Sequence, residues 1–260
     1  MEMLLGGKNA VIYGGGGAIG GAVARAFARE GAKVFLAGRT LESLEEVAEE
    51  IRSAGGKAET AEVDALDERA VDGFVDGVAE EAGSIDVSFN LVSYGDVQGT
   101  PLAEMGLEEF ERPVVRAVRT QFLTARAAAR HMIGQGSGVI LTFGGSGARD
   151  PVRHYASGGF QVYLGGFQVA MGALDVLRRQ LAVELGPHGI RVVTINSGGV
   201  PETTREDWRE AITRSFVDTS MLGRVETLED VGNVAAFAAS DLAHTMTATS
   251  INITAGRVAD

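Results

Sequence analysis

The chain contains no cysteine, which excludes disulfides, thiolate metal sites and a thiol nucleophile. Lysine is almost absent too: Lys8, Lys33 and Lys57 are the whole set, so beyond residue 57 arginine carries every strong positive charge. No Lys/Arg-rich run occurs and the formal net charge is −12, which removes the basic face that a nucleic-acid binder needs. No apolar run reaches the roughly 18 residues of a membrane span. The segment Met1–Gly7 is too short and too acidic for a signal peptide. Four histidines, His131, His154, His188 and His244, are scattered without metal-ligand spacing. These absences leave a small molecule as the expected partner, with no nucleic acid, no membrane and no metal, and a cytoplasmic location.

Glycine, by contrast, is abundant at 36 residues against 5 prolines. Without a collagen period, that frequency points to tight turns and close backbone approaches. The 260 residues, 45% hydrophobic, suffice for one large α/β domain over residues 1–260. Apolar runs at 9–14, 33–38, 57–64, 85–93, 138–144, 190–196 and 248–254 read as strands. Between them lie helical patterns: 18–31, the amphipathic "LESLEEVAEEIRSAGG" of 41–56, then 68–83, 107–132 and 228–240, with a helical excursion over 203–220. Pro113 marks a break or start within 107–132. Strands alternating with helices of this length predict a parallel sheet covered on both faces.

"YGGGGAIGG" (13–21) follows the first strand and opens the first helix. Gly15-x-Gly17-x-x-Gly20 is the dinucleotide pattern, in which glycines let the backbone approach a pyrophosphate held on the helix N-terminus. No Gly-Lys-Ser/Thr follows, so a Walker-type phosphate loop is disfavoured. After the second strand, an NAD site usually places an Asp or Glu for the ribose hydroxyls. Here Gly38 is followed by Arg39, which can pair with a 2′-phosphate and favours NADP(H) over NAD(H); the alternative is a solvated arginine beside a helix start.

These residues resemble the short-chain dehydrogenase/reductase family over nearly the whole chain. Tyr13-Gly14-Gly15-Gly16-Gly17-Ala18-Ile19-Gly20 is similar to its Thr-Gly-x-x-x-Gly/Ala-x-Gly loop, with Tyr13 in the threonine's place. "VDALDERAV" (63–71) resembles the segment whose Asp, here Asp64, meets the adenine. "IDVSFNLVSYG" (85–95) keeps Asn90 of the Asn-Asn-Ala-Gly strand but has Leu91, Val92 and Ser93 after it. "GIRVVTINSGGV" (189–200) resembles the sixth strand and its Pro-Gly, with Val193 for Asn, Ser197 for Pro and Gly198 retained. The resemblance implies a Rossmann-type, doubly wound, seven-stranded parallel sheet in a three-layer α/β/α sandwich. It implies cofactor contacts at Gly14, Gly17, Ile19, Arg39, Asp64, Asn90, Gly198 and Val200, and a homodimer or homotetramer built on the long helices.

The catalytic half departs from the family. There a Ser, a Tyr and a Lys four residues after the Tyr move the proton, supported by an Asn; the Lys charge lowers the Tyr pKa from about 10. Counting back from "LAVEL" (181–185) puts Phe167 at the Tyr position and Met171 at the Lys position. The fifth strand puts Gly145 at the Ser position, with Ser146 next, and "QFLTARAAA" (121–129) puts Ala117 at the Asn position. "GGFQVYLGGFQV" (158–169) writes one pentapeptide twice, seven residues apart; it opens the next helix, which runs on through 173–186. A seven-residue insertion copied from its neighbour accounts for much of the excess length between Gly145 and Phe167. Two tyrosines remain as donors. Tyr155 stands in "HYASGG", like the family's Tyr-x-Ala-Ser-Lys with Gly159 for lysine, and Tyr163 lies one turn before Phe167, on one helix face with Phe167 and Met171. Either is equally an ordinary packing tyrosine.

The loop 147–159 adds Arg149, Asp150, Arg153 and His154, a polar concentration or simply a solvated loop. Ser146 with His154 lacks the Gly-x-Ser-x-Gly elbow of a hydrolase. Three functions stay open: an NADP(H)-dependent oxidoreductase of a carbonyl, enone or imine with Tyr163, Tyr155 or Ser146 at the catalytic centre; a non-redox cyclase, lyase or isomerase; and a non-catalytic nucleotide-binding partner.

Overall fold

A computed structural model describes residues 3–145 and 163–259. Seven strands, β1 (Asn9–Tyr13), β2 (Lys33–Gly38), β3 (Lys57–Glu62), β4 (Val87–Asn90), β5 (Gly138–Gly145), β6 (Ile190–Ser197) and β7 (Thr249–Asn252), form one sheet. The order is β3-β2-β1-β4-β5-β6-β7, and every pairing is parallel. The order reverses between β1 and β4, and crevices at such a reversal bind ligands at the carboxyl ends of the strands.

Side-chain alternation builds two cores. On β1, Ala10 and Ile12 join α1 (Ala18–Arg29), α2 (Leu41–Ser53) and α7 (Leu228–Ala239), represented by Val23, Leu44 and Val231. Val11 and Tyr13 point the other way, to α3 (Glu68–Ala82), α4 (Leu107–Gln135) and α5 (Gly166–Leu185), represented by Val71, Leu123 and Ala182. The helix α6 (Glu206–Thr219) buries no residue and stands outside both cores.

Several expectations shift. The fourth strand is four residues long rather than spanning 85–93, because Leu91 leaves the ladder after its N–H donates to the Tyr13 carbonyl at 2.9 Å. The excursion over 203–220 resolves into a 3-10 turn, Pro201–Thr203, followed by α6. Pro113 neither breaks nor starts a helix: α4 runs through it for 29 residues. An internal proline costs about 3 kcal/mol in a lost hydrogen bond and a clash. Here its ring is buried against the start of α5, and a β-carbon on Gly166 would lie 3.0 Å from it.

Candidate active site

The loop after β1 is shaped by steric closeness. Gly14 has φ +75°, which favours glycine, and a β-carbon there would stand 2.6 Å from the Leu91 carbonyl oxygen at the end of β4. A β-carbon on Gly20 would overlap the carbonyl oxygen of Gly14. The loop is pinned by Gly14 N–H donating to the Ala37 carbonyl at 2.8 Å and Gly17 N–H to the Gly14 carbonyl at 3.1 Å. Gly17 is the N-cap of α1 and offers no side-chain acceptor, and the first turn carries no acidic residue. The amides of Ala18, Ile19 and Gly20 therefore have no intrahelical acceptor, and Gly17 and Ala18 are exposed. Such a helix start presents N–H groups and partial positive charge to an anion. A nucleotide pyrophosphate fits this cradle.

The neighbouring strand ends supply the rest. Arg39 follows β2 and is exposed. Asp64 follows β3, is exposed, and its Oδ1 accepts the Leu66 N–H at 3.0 Å. Asn90 is buried: its Nδ2 donates to Thr120 Oγ1 at 3.1 Å and its Oδ1 accepts Val92 N–H at 3.0 Å, tying the end of β4 to α4. Gly198 begins the turn after β6, and Val200 in that turn is buried in the core. Gly14, Gly17, Ile19, Arg39, Asp64, Asn90, Gly198 and Val200 all follow or close strands at the carboxyl edge of the sheet.

The four positions that counting along the sequence sets against the family's Ser, Tyr, Lys and Asn also converge. Ala117 of α4 and Met171 of α5 are buried in one cluster with Tyr94, Ala170 and Leu174, and Phe167 packs against it. Gly145 closes the group: a β-carbon there would lie 3.0 Å from the Phe167 ring, and its N–H donates to Met171 Sδ at 2.9 Å. The cluster is apolar save for the Tyr94 hydroxyl, which donates to the Phe143 carbonyl at 3.0 Å. Burial holds that phenol above its ordinary pKa, with the Asp96 charge adding to the effect. Tyr94 was missed at the level of sequence because an isolated tyrosine after a strand carries no periodic signal.

One expectation is corrected. Tyr163 does not share a helix face with Phe167 and Met171, because α5 begins at Gly166. Tyr163 lies in the approach to that helix, where its carbonyl accepts the Gly99 N–H at 2.8 Å. Gly165 interrupts the path with φ +51° and ψ −132°, and Gly166 sits so close to α4 that a β-carbon would overlap the Phe110 carbonyl oxygen. The second copy of the pentapeptide enters the helix, and its two glycines are what that entry requires. The first copy, Ser146, Tyr155 and the loop 147–159 lie outside the described residues. Among the described residues no group of three His, Asp or Glu can hold a metal ion, and no helix is long and apolar enough to cross a membrane.

Comparison with known proteins agrees with this geometry. Residues 16–257 match the family described as enoyl-(acyl carrier protein) reductase. A short-chain type dehydrogenase/reductase from Mycobacterium marinum superposes with a TM-score of 0.83 at 30% identity, covering 100% of this chain and 98% of that one. The chain belongs to the short-chain dehydrogenase/reductase family. Among its relatives in that family is the uncharacterized oxidoreductase YxbG of Bacillus subtilis (strain 168), 30% identical over 97% of this chain and 91% of the relative. Another is a 3alpha-hydroxysteroid dehydrogenase of Mediterraneibacter gnavus, 31% identical over 97% of this chain and 98% of the relative. Short-chain dehydrogenase/reductases are oxidoreductases that use a nicotinamide nucleotide, and the cradle between β1 and α1 has the shape and the free amides to receive one.

Proposed function

We propose that the protein is an NADP(H)-dependent oxidoreductase of a small-molecule carbonyl, enone or imine, with a proton donor other than the family's usual tyrosine. The observation that carries this reading is the close-packed glycine loop with an uncapped helix start beside Arg39. The amides of Ala18 and Ile19 would hold the pyrophosphate, Arg39 a 2′-phosphate, and Asp64 the adenine side, while Asn90, Gly198 and Val200 complete the edge. When bound, the cofactor supplies a hydride for an electrophilic carbon. Tyr94 is a poor proton source, since its hydroxyl is buried and engaged with a backbone carbonyl. Tyr163, Tyr155, Ser146, His154 and water are the remaining candidates for the proton.

Fluorescence titration with NADPH and NADH, followed by absorbance at 340 nm with ketones, enones and imines, tests this. NADPH should bind more tightly than NADH, and at least one acceptor should consume it. NADPH binding without turnover on any acceptor would overturn the redox reading. It would favour the reading suggested by the apolar cluster of Ala117, Gly145, Phe167 and Met171: a non-redox cyclase, lyase or isomerase, or a non-catalytic nucleotide-binding partner.

We also infer a homodimer or homotetramer. Val169, Val176 and Val183 recur every seventh residue on α5 and stay exposed, as do Val115 and Phe122 on α4. An apolar stripe of this kind on two adjacent helices suits a second copy of the chain. Light scattering should give a mass of at least twice 27.1 kDa, and a monomer would remove this inference.

A further inference from the structure

The chain turns sharply after β6, and three separate segments grip that turn. Glu226, in the link from α6 to α7, is buried. Its Oε1 accepts the Ser197 hydroxyl at 3.0 Å and the Gly198 N–H at 2.6 Å. Ser197 Oγ in turn accepts the Gly199 N–H at 2.9 Å. A single carboxylate oxygen therefore organises three consecutive residues. From the other side, the Arg257 guanidinium donates to the Gly198 carbonyl and lies 3.5 Å over the ring of Phe216, which belongs to α6. The space is tight: a β-carbon on Gly198 would lie 3.0 Å from Arg257 Cζ, and one on Gly199 would lie 3.3 Å from the Phe216 ring. Leu222 N–H donates to the Ala255 carbonyl at 3.2 Å, fastening the segment after α6 to the one after β7.

A buried carboxylate is an expensive way to hold a turn, since desolvation opposes its charge. Burial pushes Glu226 up to about 7, against the pull of Ser197, the Gly198 amide, Arg257 and the Gly199 amide. Among the described residues, Arg257, on the segment after β7, is the charged group that faces it. Glu202 and Asp230, which bind the residues just after it, accept the N–H groups of Leu228 at 2.6 Å and Thr227 at 3.0 Å. On the 197–199 turn the partners are neutral.

We propose that Glu226 is a positioning residue: opposed by Arg257, its carboxylate sets the Ser197–Val200 turn and couples it through Phe216 to α6, so that turn, helix and bound nucleotide answer to one group. The coupling of turn and helix stands on the contacts above; its effect on nucleotide rests on the reading given under Proposed function. A carboxylate accepts from all its donors at once, and charge strengthens those bonds. Protonation removes both advantages. The turn is thus firmest above about pH 7 and loosens below it.

The test uses ligand-free, glycine-labelled full chain, titrated between about pH 5.5 and 8.5. The Gly198 and Gly199 amide resonances should move together with a midpoint near 7, and emission from Trp208, the one tryptophan and a residue of α6, should follow. Both responses should vanish in Glu226→Gln. In Phe216→Leu the amides should still titrate while Trp208 goes silent. NADH, which lacks a 2′-phosphate that titrates in this range, should bind wild type about tenfold more weakly at pH 6 than at pH 8, and Glu226→Gln equally at both. Amides that do not titrate in wild type overturn the proposal, a result that needs no variant to fold. NADH binding with the same flat pH profile in wild type and Glu226→Gln overturns the nucleotide half while leaving the cofactor reading intact. Amides that titrate in a protein that binds neither NADH nor NADPH keep the coupling and remove the cofactor reading.

Discussion

The carboxyl edge of the sheet divides into two regions built from opposite materials. Around β1, β2 and β3 the site is made of backbone: glycines at contact distance, an uncapped helix start, and charged side chains left exposed at the strand ends. Around β5, α4 and α5 the corresponding ground is made of side chains, and they are apolar: Ala117, Phe167 and Met171 close on Gly145. A backbone site tolerates almost no added atom, because a carbonyl cannot move aside as a side chain can. A side-chain site can change its chemistry and still pack. The two regions therefore differ in how much change of sequence they can absorb.

One carbon added to each region should have very different effects. Gly20→Ala puts a methyl group onto the Gly14 carbonyl oxygen, and something in the loop must shift. Nucleotide affinity should fall at least a hundredfold, about 3 kcal/mol, in a fluorescence titration. Gly145→Ala meets side chains, the Phe167 ring at 3.0 Å and Met171 Cγ at 3.5 Å, and should leave nucleotide affinity within about threefold. Equal losses at the two sites would remove the distinction.

A second experiment makes the apolar region resemble the rest of the family. In the triple variant Gly145→Ser, Phe167→Tyr and Met171→Lys, an ammonium enters a cluster whose one hydroxyl, that of Tyr94, is already committed to Phe143. Burial without an anionic partner should destabilise the fold by about 2–4 kcal/mol and lower the new lysine's pKa. Thermal unfolding should show the loss, and its size should shrink as pH rises and the amine becomes neutral. A variant as stable as the parent would mean that water or a polar group reaches Met171.

How much of this was legible in sequence follows the same division. The strand–helix alternation and the glycine loop carry periodic or contiguous signals, so the sheet, its parallel order and the α1 cradle could be read directly. The helix through Pro113 could not, because the proline's cost is offset by packing against Gly166, a residue fifty positions away in a different helix. The placement of Tyr163 on the helix was misjudged for a related reason. A seven-residue repeat looks helical, but the second pair of glycines meets Met105 and Phe110, and those contacts set where the helix begins. Glu226 was invisible, since nothing in its neighbours in sequence marks a carboxylate as buried against a turn nearly thirty residues upstream.

The buried Glu226 gives the third prediction, one of global stability. Its ordinary value of 4.5 is raised to about 7 in the folded chain, so the folded state binds the proton more tightly than the unfolded state. The favourable contribution is present below pH 4.5 and is lost as pH rises towards 7, amounting to about 3 kcal/mol at most. Urea unfolding of Glu226→Gln should show a smaller decline over that window than the wild type. Carboxylates such as Glu45, held below their ordinary range by Thr60 and Arg52, act in the opposite sense and lose stabilisation in acid, so the comparison must be between variant and parent at each pH.

The smallest expected effect falls on the exposed part of the backbone site. Arg39 touches no described partner in the hydrogen bonds or ion pairs around β2, and its side chain reaches solvent at the strand end where the ribose of a nucleotide would lie. Because it is exposed, its attraction for a 2′-phosphate is screened, and removing it should cost about tenfold in NADPH affinity, about 1.4 kcal/mol, rather than abolish binding. Arg39→Ala should leave NADH affinity unchanged, since the pyrophosphate cradle does not involve the side chain. Arg39→Asp should go further and favour NADH, by accepting from the free ribose hydroxyls and repelling the phosphate. Parallel titrations of the three proteins with both nucleotides, repeated at high salt, decide the matter. An NADPH preference that survives Arg39→Ala and is insensitive to salt would place the discrimination elsewhere on the edge and would leave Arg39 a solvated residue at the start of α2.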